Sequence, residues 1–296
     1  MLRQHHRRTF SKLAVAAVSF VLNGACPAAL RVHEPFNYSA TEGPDLNEDG
    51  RPDLKGQNGG FGFSSAWDDT SGSSSGVPDY DYVQAGSLVF GSIQGSVPAT
   101  GNSLRSYAPN GGFSNTKRDL TPISGTTGTE VWISYLVRKD AGRNPPSGDD
   151  VFGLQLFSST GAEGVGFGDM FSSGTYGIDT TEGAGDSGIA IKPLGETVFL
   201  VLRIQFRSGA DEFSLFVNPN PRATMPGGPN AMVTGPDLPN ISRLVIEAQG
   251  ESSVQWSLDE IRMGDSYVCV VPEPSSLLLA ALGTSCLGAR RFRKTS

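Results

Sequence analysis

The sequence predicts an all-β protein, folded as an antiparallel two-sheet sandwich of the jelly-roll type. Between residues 29 and 270, short segments with an apolar residue at every second position recur between turn residues, which is typical of half-buried strands. The 38 glycines and 19 prolines exceed ordinary usage and predict many turns. No window of this region has the apolar period of an amphipathic helix.

The clearest predicted strand covers residues 197–206, where five apolar side chains alternate on one face. Phe199 and Val201 make the other face apolar too, which predicts a central strand covered on both sides. Residues 131–137 and 151–157 are predicted as a pair of strands separated by a loop around Pro145 and Pro146. The other predicted strands are 88–93, 103–107, 164–167, 175–178, 188–191, 212–217, 244–248 and 254–263.

The last predicted strand changes face along its length. Trp256 and Leu258 share one parity, whereas Ile261 and Met263 share the other. Since one inserted residue exchanges the two faces of a strand, this shift predicts a β-bulge near Asp259.

Residues 1–28 are predicted to be a signal peptide. They combine a basic start, an apolar helical run over residues 13–22 and small residues at Cys26 and Ala28, which fit a cleavage site. The stretch from Arg7 to Lys12 resembles the twin-arginine pattern, so export through either the twin-arginine or the general secretory route stays open.

Residues 271–296 form a tail of three parts. They are Pro272-Glu273-Pro274, an apolar run that ends at Ala289, and a basic cluster that starts with Arg290 and Arg291. The run from Ser275 to Ala289 is short of the roughly 20 residues that span a bilayer with ease, which favours a short, transient transmembrane helix over an ordinary tail anchor. The basic end is expected to stay on the cytoplasmic side.

This tail resembles the PEP-CTERM sorting domain, the substrate of the exosortase membrane enzymes of Gram-negative bacteria that make exopolysaccharide. The resemblance implies that Pro272, Glu273, Pro274, Arg290 and Arg291 serve sorting and processing. It also implies cleavage near Pro272-Glu273-Pro274 by an exosortase-type enzyme, after delivery by the export machinery. The expected destination is the cell envelope or the extracellular matrix, with a transient membrane anchor.

The part between the two targeting ends is strongly acidic. Without residues 1–28 and 272–296, the chain keeps 15 basic and 29 acidic residues, a net charge of −14. Such a charge argues against nucleic acid as a partner and against adhesion to anionic lipid. It is compatible with binding of hard cations such as calcium.

The residue types present argue against most catalytic classes. Residues 29–271 contain one histidine, His33, so Ser-His-Asp hydrolysis, Cys-His proteolysis and His-rich zinc sites lack their central group. A glycosidase would need two carboxyl groups about 5–5.5 Å apart if retaining. Acid pairs occur at Asp68-Asp69, Asp79 with Asp81, Asp149-Asp150 and Asp259-Glu260. The Glu-x-Asp-x-x-Glu motif of jelly-roll glucanases is absent, so the protein is predicted to be non-enzymatic.

The acidic segment from Asp45 to Asp53 is a candidate calcium loop. The candidate ligands, at alternate positions, are Asp45, Asn47, Asp49, Arg51 and Asp53, with Gly50 at the sharp turn. The segment resembles the D-x-N-x-D-G loops of dockerins and thrombospondin type 3 repeats. Gly56 stands where those loops have a bidentate Glu, so an unliganded acidic turn stays open as the alternative.

Aromatic residues divide into two predicted groups. Trp132 and Trp256 lie on predicted strands and are expected in the core. Trp67, Tyr80 and Tyr82 lie among acidic residues in loops, and they are the candidate glycan contacts.

Three segments resemble the concanavalin-A-like, or laminin-G-like, jelly rolls. They are Glu34-Pro35-Phe36-Asn37-Tyr38, Gly59-Gly60-Phe61-Gly62 leading to Trp67, and the run from Trp256 to Gly264. In that family the segment matching the last one is a late strand where the two ends of the chain meet. The predicted function is a structural or exopolysaccharide-associated protein. A calcium-dependent lectin-like module is the first alternative, and a carboxylate glycosidase is less favoured.

Overall fold

Two large antiparallel sheets make up the described part of the chain. The computed structural model describes residues 29–46, 49–69, 81–108, 113–142, 150–161, 163–170, 174–250 and 254–271. Its strands are β1 Leu30–Glu34, β2 Asp68–Asp69, β3 Tyr82–Gln84, β4 Phe90–Ser92, β5 Gly95–Val97, β6 Ser103–Ala108, β7 Phe113–Ser124, β8 Glu130–Ala141, β9 Val151–Phe157, β10 Glu163–Asp169, β11 Thr175–Thr180, β12 Gly183–Ala190, β13 Thr197–Gln205, β14 Glu212–Val217, β15 Ala231–Thr234, β16 Asn240–Gln249 and β17 Val254–Gly264. A short helix, α1 Tyr267–Val270, follows them. The predicted all-β sandwich is confirmed.

The two sheets interleave in sequence. The first has the order β15-β14-β13-β8-β17-β6-β3, with β1 added beside β17, and the second has the order β12-β11-β10-β9-β16-β7-β2. The predicted pairing of residues 131–137 with 151–157 is wrong, because β8 belongs to the first sheet and β9 to the second. Apolar alternation identified both strands, but it carries no information about which sheet each strand joins.

The main core lies between the sheets. Alternate residues of β8 and β13 face it, among them Ile133, Tyr135, Leu200 and Leu202, all fully buried. Trp256 stacks on Phe152 of the second sheet, with ring centroids 5.0 Å apart. This inter-sheet contact confirms that Trp256 is a core residue. It also shows that the face of β17 that carries Trp256 points into the core.

A second apolar layer covers the outer face of the first sheet. Trp132 and Leu136 of β8 and Phe199 of β13 point outward, yet they are buried. The hairpin β4–β5, the loop 218–223 and α1 pack over them. This outer layer explains why the sequence of β13 is apolar on both faces, and β13 is central, between β14 and β8, as predicted.

Strand β17 joins the two ends of the domain. One side pairs with β8, and the other side pairs with β6 through residues 254–258 and with β1 through residues 261–264. The register shifts between Asp259 and Arg262, where Glu260 has a φ of 54°, so the predicted bulge is confirmed. The backbones of Ala29 and Asp265 are also hydrogen-bonded, which holds the first described residue against the end of β17.

Candidate functional site

The predicted sorting tail begins where the outer layer ends. Val270 and Val271 are buried in that layer, and the hydroxyl of Ser134 donates to the carbonyl of Val270 at 2.6 Å. The sorting residues Pro272, Glu273, Pro274, Arg290 and Arg291 lie outside the described residues, as does the predicted signal peptide. Among the residues that are described, no helix is long and apolar enough to cross a membrane.

The candidate calcium loop is folded onto its own backbone. The carboxylate of Asp45 accepts the amides of Asp49 and Gly50, each at 3.0 Å, and Asp49 accepts the amide of Arg51 at 2.9 Å. Asp53 is buried, and Asn47 lies outside the described residues. The described positions gather no group of three acidic, histidine or cysteine side chains able to hold a metal ion. They fit a closed Asx-type turn better than a complete ligand shell, so calcium binding stays a prediction.

The three predicted glycan contacts have different fates. Trp67 is only 2% exposed and stacks on Phe36, so it is not the accessible platform that its polar sequence context predicted. Tyr82 is half-buried, with the guanidinium carbon of Arg51 4.7 Å from its ring centroid. Tyr80 lies outside the described residues. Only Tyr82 therefore remains as a described candidate.

The buried indole of Trp67 is one of the hydrogen-bond donors around Glu34. One carboxylate oxygen of Glu34 accepts from Trp67 Nε1 at 3.0 Å, from Tyr38 Oη at 2.7 Å and from an Arg118 nitrogen at 2.6 Å. The other oxygen accepts the amide of Phe36 at 2.9 Å. Glu34 and Arg118 are both fully buried, so this is an internal ion pair whose charges are compensated on every side.

The acid pair Asp259-Glu260 occupies the bulge of β17. Asp259 accepts the amides of Leu88 and Glu260, and burial raises the pKa of its carboxyl to about 8. Glu260 bonds His33 Nε2 at 2.9 Å and Arg262 at 2.8 Å. Burial opposes ionisation of Glu260, but the hydrogen bond from His33 and the charge and hydrogen bonds of Arg262 lower its pKa overall. The left-handed backbone of Glu260 is held by these contacts, which is a structural role.

A third group of charges lies inside one end of the sandwich. Lys139 Nζ bonds the Asp150 carboxylate at 3.1 Å, and both residues are buried. Asp169 is also buried, and neither of its carboxylate oxygens has a hydrogen-bond partner among the described residues. Burial raises its pKa to about 7, against the lowering effect of the Lys139 charge. Lys139 Nζ lies 5.3 Å from the Trp256 ring centroid.

Asp81 is the fourth buried acid, and hydroxyls surround it. Ser106 of the first sheet and Ser114 and Thr116 of the second lie near its carboxylate and lower its pKa, but burial dominates and raises the pKa to about 6. None of these hydroxyls is in hydrogen-bond geometry with it. Asp81 therefore sits among hydroxyl oxygens of both sheets, and no cationic side chain of the described residues forms an ion pair with it.

The acids of these clusters are almost fully buried. Asp81, Asp150, Asp169, Asp259 and Glu260 each have at most 2% of their surface exposed. Asp79 and Asp149, their predicted partners, lie outside the described residues. Sequence reasoning missed Lys139. It lies on the same face of β8 as Tyr135 and Val137, which point into the core. A charged residue on a core-facing row indicates a buried ion pair.

Solved structures with related folds include several carbohydrate-active proteins. The chain is similar to a carbohydrate esterase of the Shiga toxin-encoding bacteriophage phi24B, with 11% identity over 81% of this chain and 99% of that one, and a TM-score of 0.47. It is similar to an endo-1,3-beta-glucanase from Streptomyces sioyaensis, with 8% identity over 86% and 99% and a TM-score of 0.45. It is also similar to the globular domain of T. cruzi calreticulin, with 12% identity over 76% and 90% and a TM-score of 0.39. At these values the likeness does not extend to an activity.

No curated protein matches the chain by sequence. The tail is different, because residues 270–294 match the family model described as the PEP-CTERM protein-sorting motif. The predicted sorting tail is thus confirmed, and its match begins at the last residue of α1. The chain carries a PEP-CTERM motif, which indicates an exported protein that is anchored at its C-terminal end and processed by an exosortase.

Proposed function

We propose that this protein is a non-catalytic component of the cell envelope or extracellular matrix, associated with exopolysaccharide. One observation carries the proposal: the sorting motif starts at Val270, which is itself buried in the outer layer of the sandwich. Cleavage near Pro272-Glu273-Pro274 would therefore release the sandwich with its packing intact. The folded domain is the part of the protein that is delivered, and its packing extends up to the sorting motif.

The charge distribution supports a passive role. Some acids of the described residues are buried, where they accept hydrogen bonds from the protein or lie between the sheets. Others, such as Asp68 and Asp186, are exposed to solvent and give the surface its negative charge. An acidic, soluble sandwich suits a protein present at high concentration among hydrated polysaccharide.

Processing of the tail tests the delivery part of the proposal. We expect the mature wild-type protein from its exporting host to lack residues 290–296. Glu273→Ala should keep these residues and accumulate in membranes, while Glu182→Ala, an exposed acid of the sandwich, should be processed normally. Mass spectrometry of the C-terminal peptide distinguishes the forms. Intact residues 290–296 on the mature wild-type protein would contradict the proposal.

A calcium-dependent carbohydrate-binding module is the second candidate. It is favoured by the position of the Asp45–Asp53 loop against Tyr82, through the Arg51 stacking contact and a backbone bridge between Asp53 and Tyr82. An aromatic ring beside a cation loop is an arrangement that could bind a sugar ring. This candidate requires that calcium bind the loop.

Calorimetry with the host's purified exopolysaccharide, with and without calcium, separates the two candidates. Saturable heat that is lost on chelation and in Tyr82→Ala would establish the binding module, and a flat trace would favour the structural role. If calcium binds, it should stabilise the fold by about 1.4 kcal/mol at ten times its Kd. Asp49→Ala should abolish this gain. Asp186→Ala should keep it, because Asp186 is an exposed acid of β12 whose carboxylate also accepts a backbone amide two residues further on.

A further inference from the structure

The face made of the hairpin β4–β5 and the loop packed beside it has no acidic residue in the segments that form it. Residues 82–104, which include the hairpin β4–β5, contain no charged residue. The next charged residue is Arg105, in β6. Residues 213–236, which include the loop that packs beside the hairpin, contain Arg222 alone. In a domain with 29 acidic residues, the segments that form this face thus carry one basic residue and no acidic one, whereas Glu130 and Glu212 lie elsewhere on the same side, beside Trp132 and Arg203.

The same face exposes large apolar side chains. Ile93 at the hairpin turn is fully exposed, Val89 is 74% exposed, and Met225 in the adjacent loop is 54% exposed. Arg222 lies beside the hairpin and lines a shallow groove with Ile93. Exposed apolar residues that occur singly need no explanation, but a group of them beside one arginine and no acidic residue of the same segments indicates an interaction surface.

The position of the tail identifies what this surface meets. Val271 is buried in the same outer layer as Phe90 and Val97 of the hairpin. The predicted membrane segment starts at Ser275, four peptide steps further, which an extended chain covers in roughly 14 Å. A tail that enters the bilayer at Ser275 would therefore keep this face within reach of the bilayer for as long as the tail is attached.

We propose that the hairpin β4–β5 and the loop around Met225 rest on the lipid bilayer in the tail-anchored form. This inference rests on the proposed membrane delivery. The acidity of the domain predicted no adhesion to anionic lipid, but none of its acidic residues lies in the two segments that form this face. A few apolar side chains bind a membrane weakly, and the tail makes the contact intramolecular, so weak binding is sufficient. The contact orients the domain before cleavage and is lost with the tail.

Tryptophan fluorescence tests this contact, because Trp67, Trp132 and Trp256 are the chain's three tryptophans and all are buried. The full-length Ile93→Trp variant would be reconstituted in vesicles of phosphatidylethanolamine with a minor share of phosphatidylglycerol. We expect protection from acrylamide and loss of fluorescence when the acyl chains carry bromine. Leu194→Trp, an exposed apolar position outside the outer layer, should stay accessible to acrylamide and unquenched by bromine.

Three other results would overturn the inference. If both variants were equally accessible to acrylamide, the face would be in water. If Ile93→Trp were protected but not quenched by brominated lipid, the tail or a second copy would cover it. If the protein did not float with the vesicles, both the membrane contact and the anchored form assumed under the proposed function would fail. Flotation without quenching would contradict the membrane contact alone.

Discussion

Glu34 and Asp169 are both acids buried inside the sandwich, yet their surroundings differ completely. Glu34 accepts four hydrogen bonds, one of them from the Arg118 guanidinium. Asp169 accepts none from the described residues, and its nearest cation, Lys139, is already paired with Asp150. The comparison teaches that burial alone does not decide whether a charged carboxylate stabilises or destabilises the folded state. The hydrogen-bond donors and cations around the carboxylate decide it.

The largest expected effect is at the compensated pair. Arg118→Met should lower the free energy of unfolding by about 3–5 kcal/mol, because it leaves the Glu34 charge buried without its cation. Chemical denaturation at neutral pH measures this loss. Glu34→Gln/Arg118→Met should recover part of it, since neither charge then remains. If Arg118→Met were as stable as wild type, the pair would contribute nothing and the comparison would collapse.

The opposite sign is expected at Asp169. Its carboxyl ionises near pH 4 when unfolded and at about 7 when folded, so the folded state loses stability as the pH rises through this window. Asp169→Asn removes that penalty. The variant should be more stable than wild type by about 2–4 kcal/mol at pH 8 and nearly equal to it at pH 4.

Asp150→Asn is the matched control for Asp169→Asn, since it changes the neighbouring acid of the same cluster. It leaves Lys139 buried without its carboxylate, so it should destabilise the fold at pH 8. Melting temperatures of both variants at the two pH values give the result. A gain in stability from Asp150→Asn, or a loss from Asp169→Asn at pH 8, would contradict the difference between paired and unpaired acids.

A smaller effect of the same sign is expected at Asp81. Its pKa is raised less, to about 6, because nearby hydroxyls favour the ionised form. Asp81→Asn should stabilise the protein by about 1–3 kcal/mol at pH 8, and the gain should develop between pH 4 and 6. Stability measured across this pH series checks both the size and the window. A gain that developed at the same pH as that of Asp169→Asn would remove the distinction between the two sites.

The strands with strong apolar alternation could be predicted from sequence. Val151–Phe157 and Glu212–Val217 coincide with β9 and β14, and the bulge near Asp259 followed from a change in parity. Strand β7, Phe113–Ser124, was missed because its inward row holds Ser114, Thr116 and Arg118 instead of apolar residues. Its alternation is present but polar, and a search for hydrophobic period does not detect it.

The site residues were harder to predict. Trp67 was expected at the surface because acidic residues follow it. Its indole is instead buried, and it donates a hydrogen bond to Glu34, which lies 33 positions earlier in the chain. Such a contact depends on how the strands cross between sheets, and sequence spacing does not contain that information. The sorting motif of the tail could be predicted because its three parts are contiguous in sequence and are recognised as a linear segment.

The place of β17 has a consequence for the timing of export. This strand lies inside the first sheet and is the partner of β1, β6 and β8, although it is the last strand of the described residues. A chain that crosses the membrane unfolded, from its N-terminal end, would hold three incomplete strand pairings until residues 254–264 emerge. Because the sorting motif follows within a few residues, we expect completion of the fold to coincide with arrival of the tail at the membrane. On this route, a chain whose anchor has not yet reached the membrane has not yet closed its first sheet.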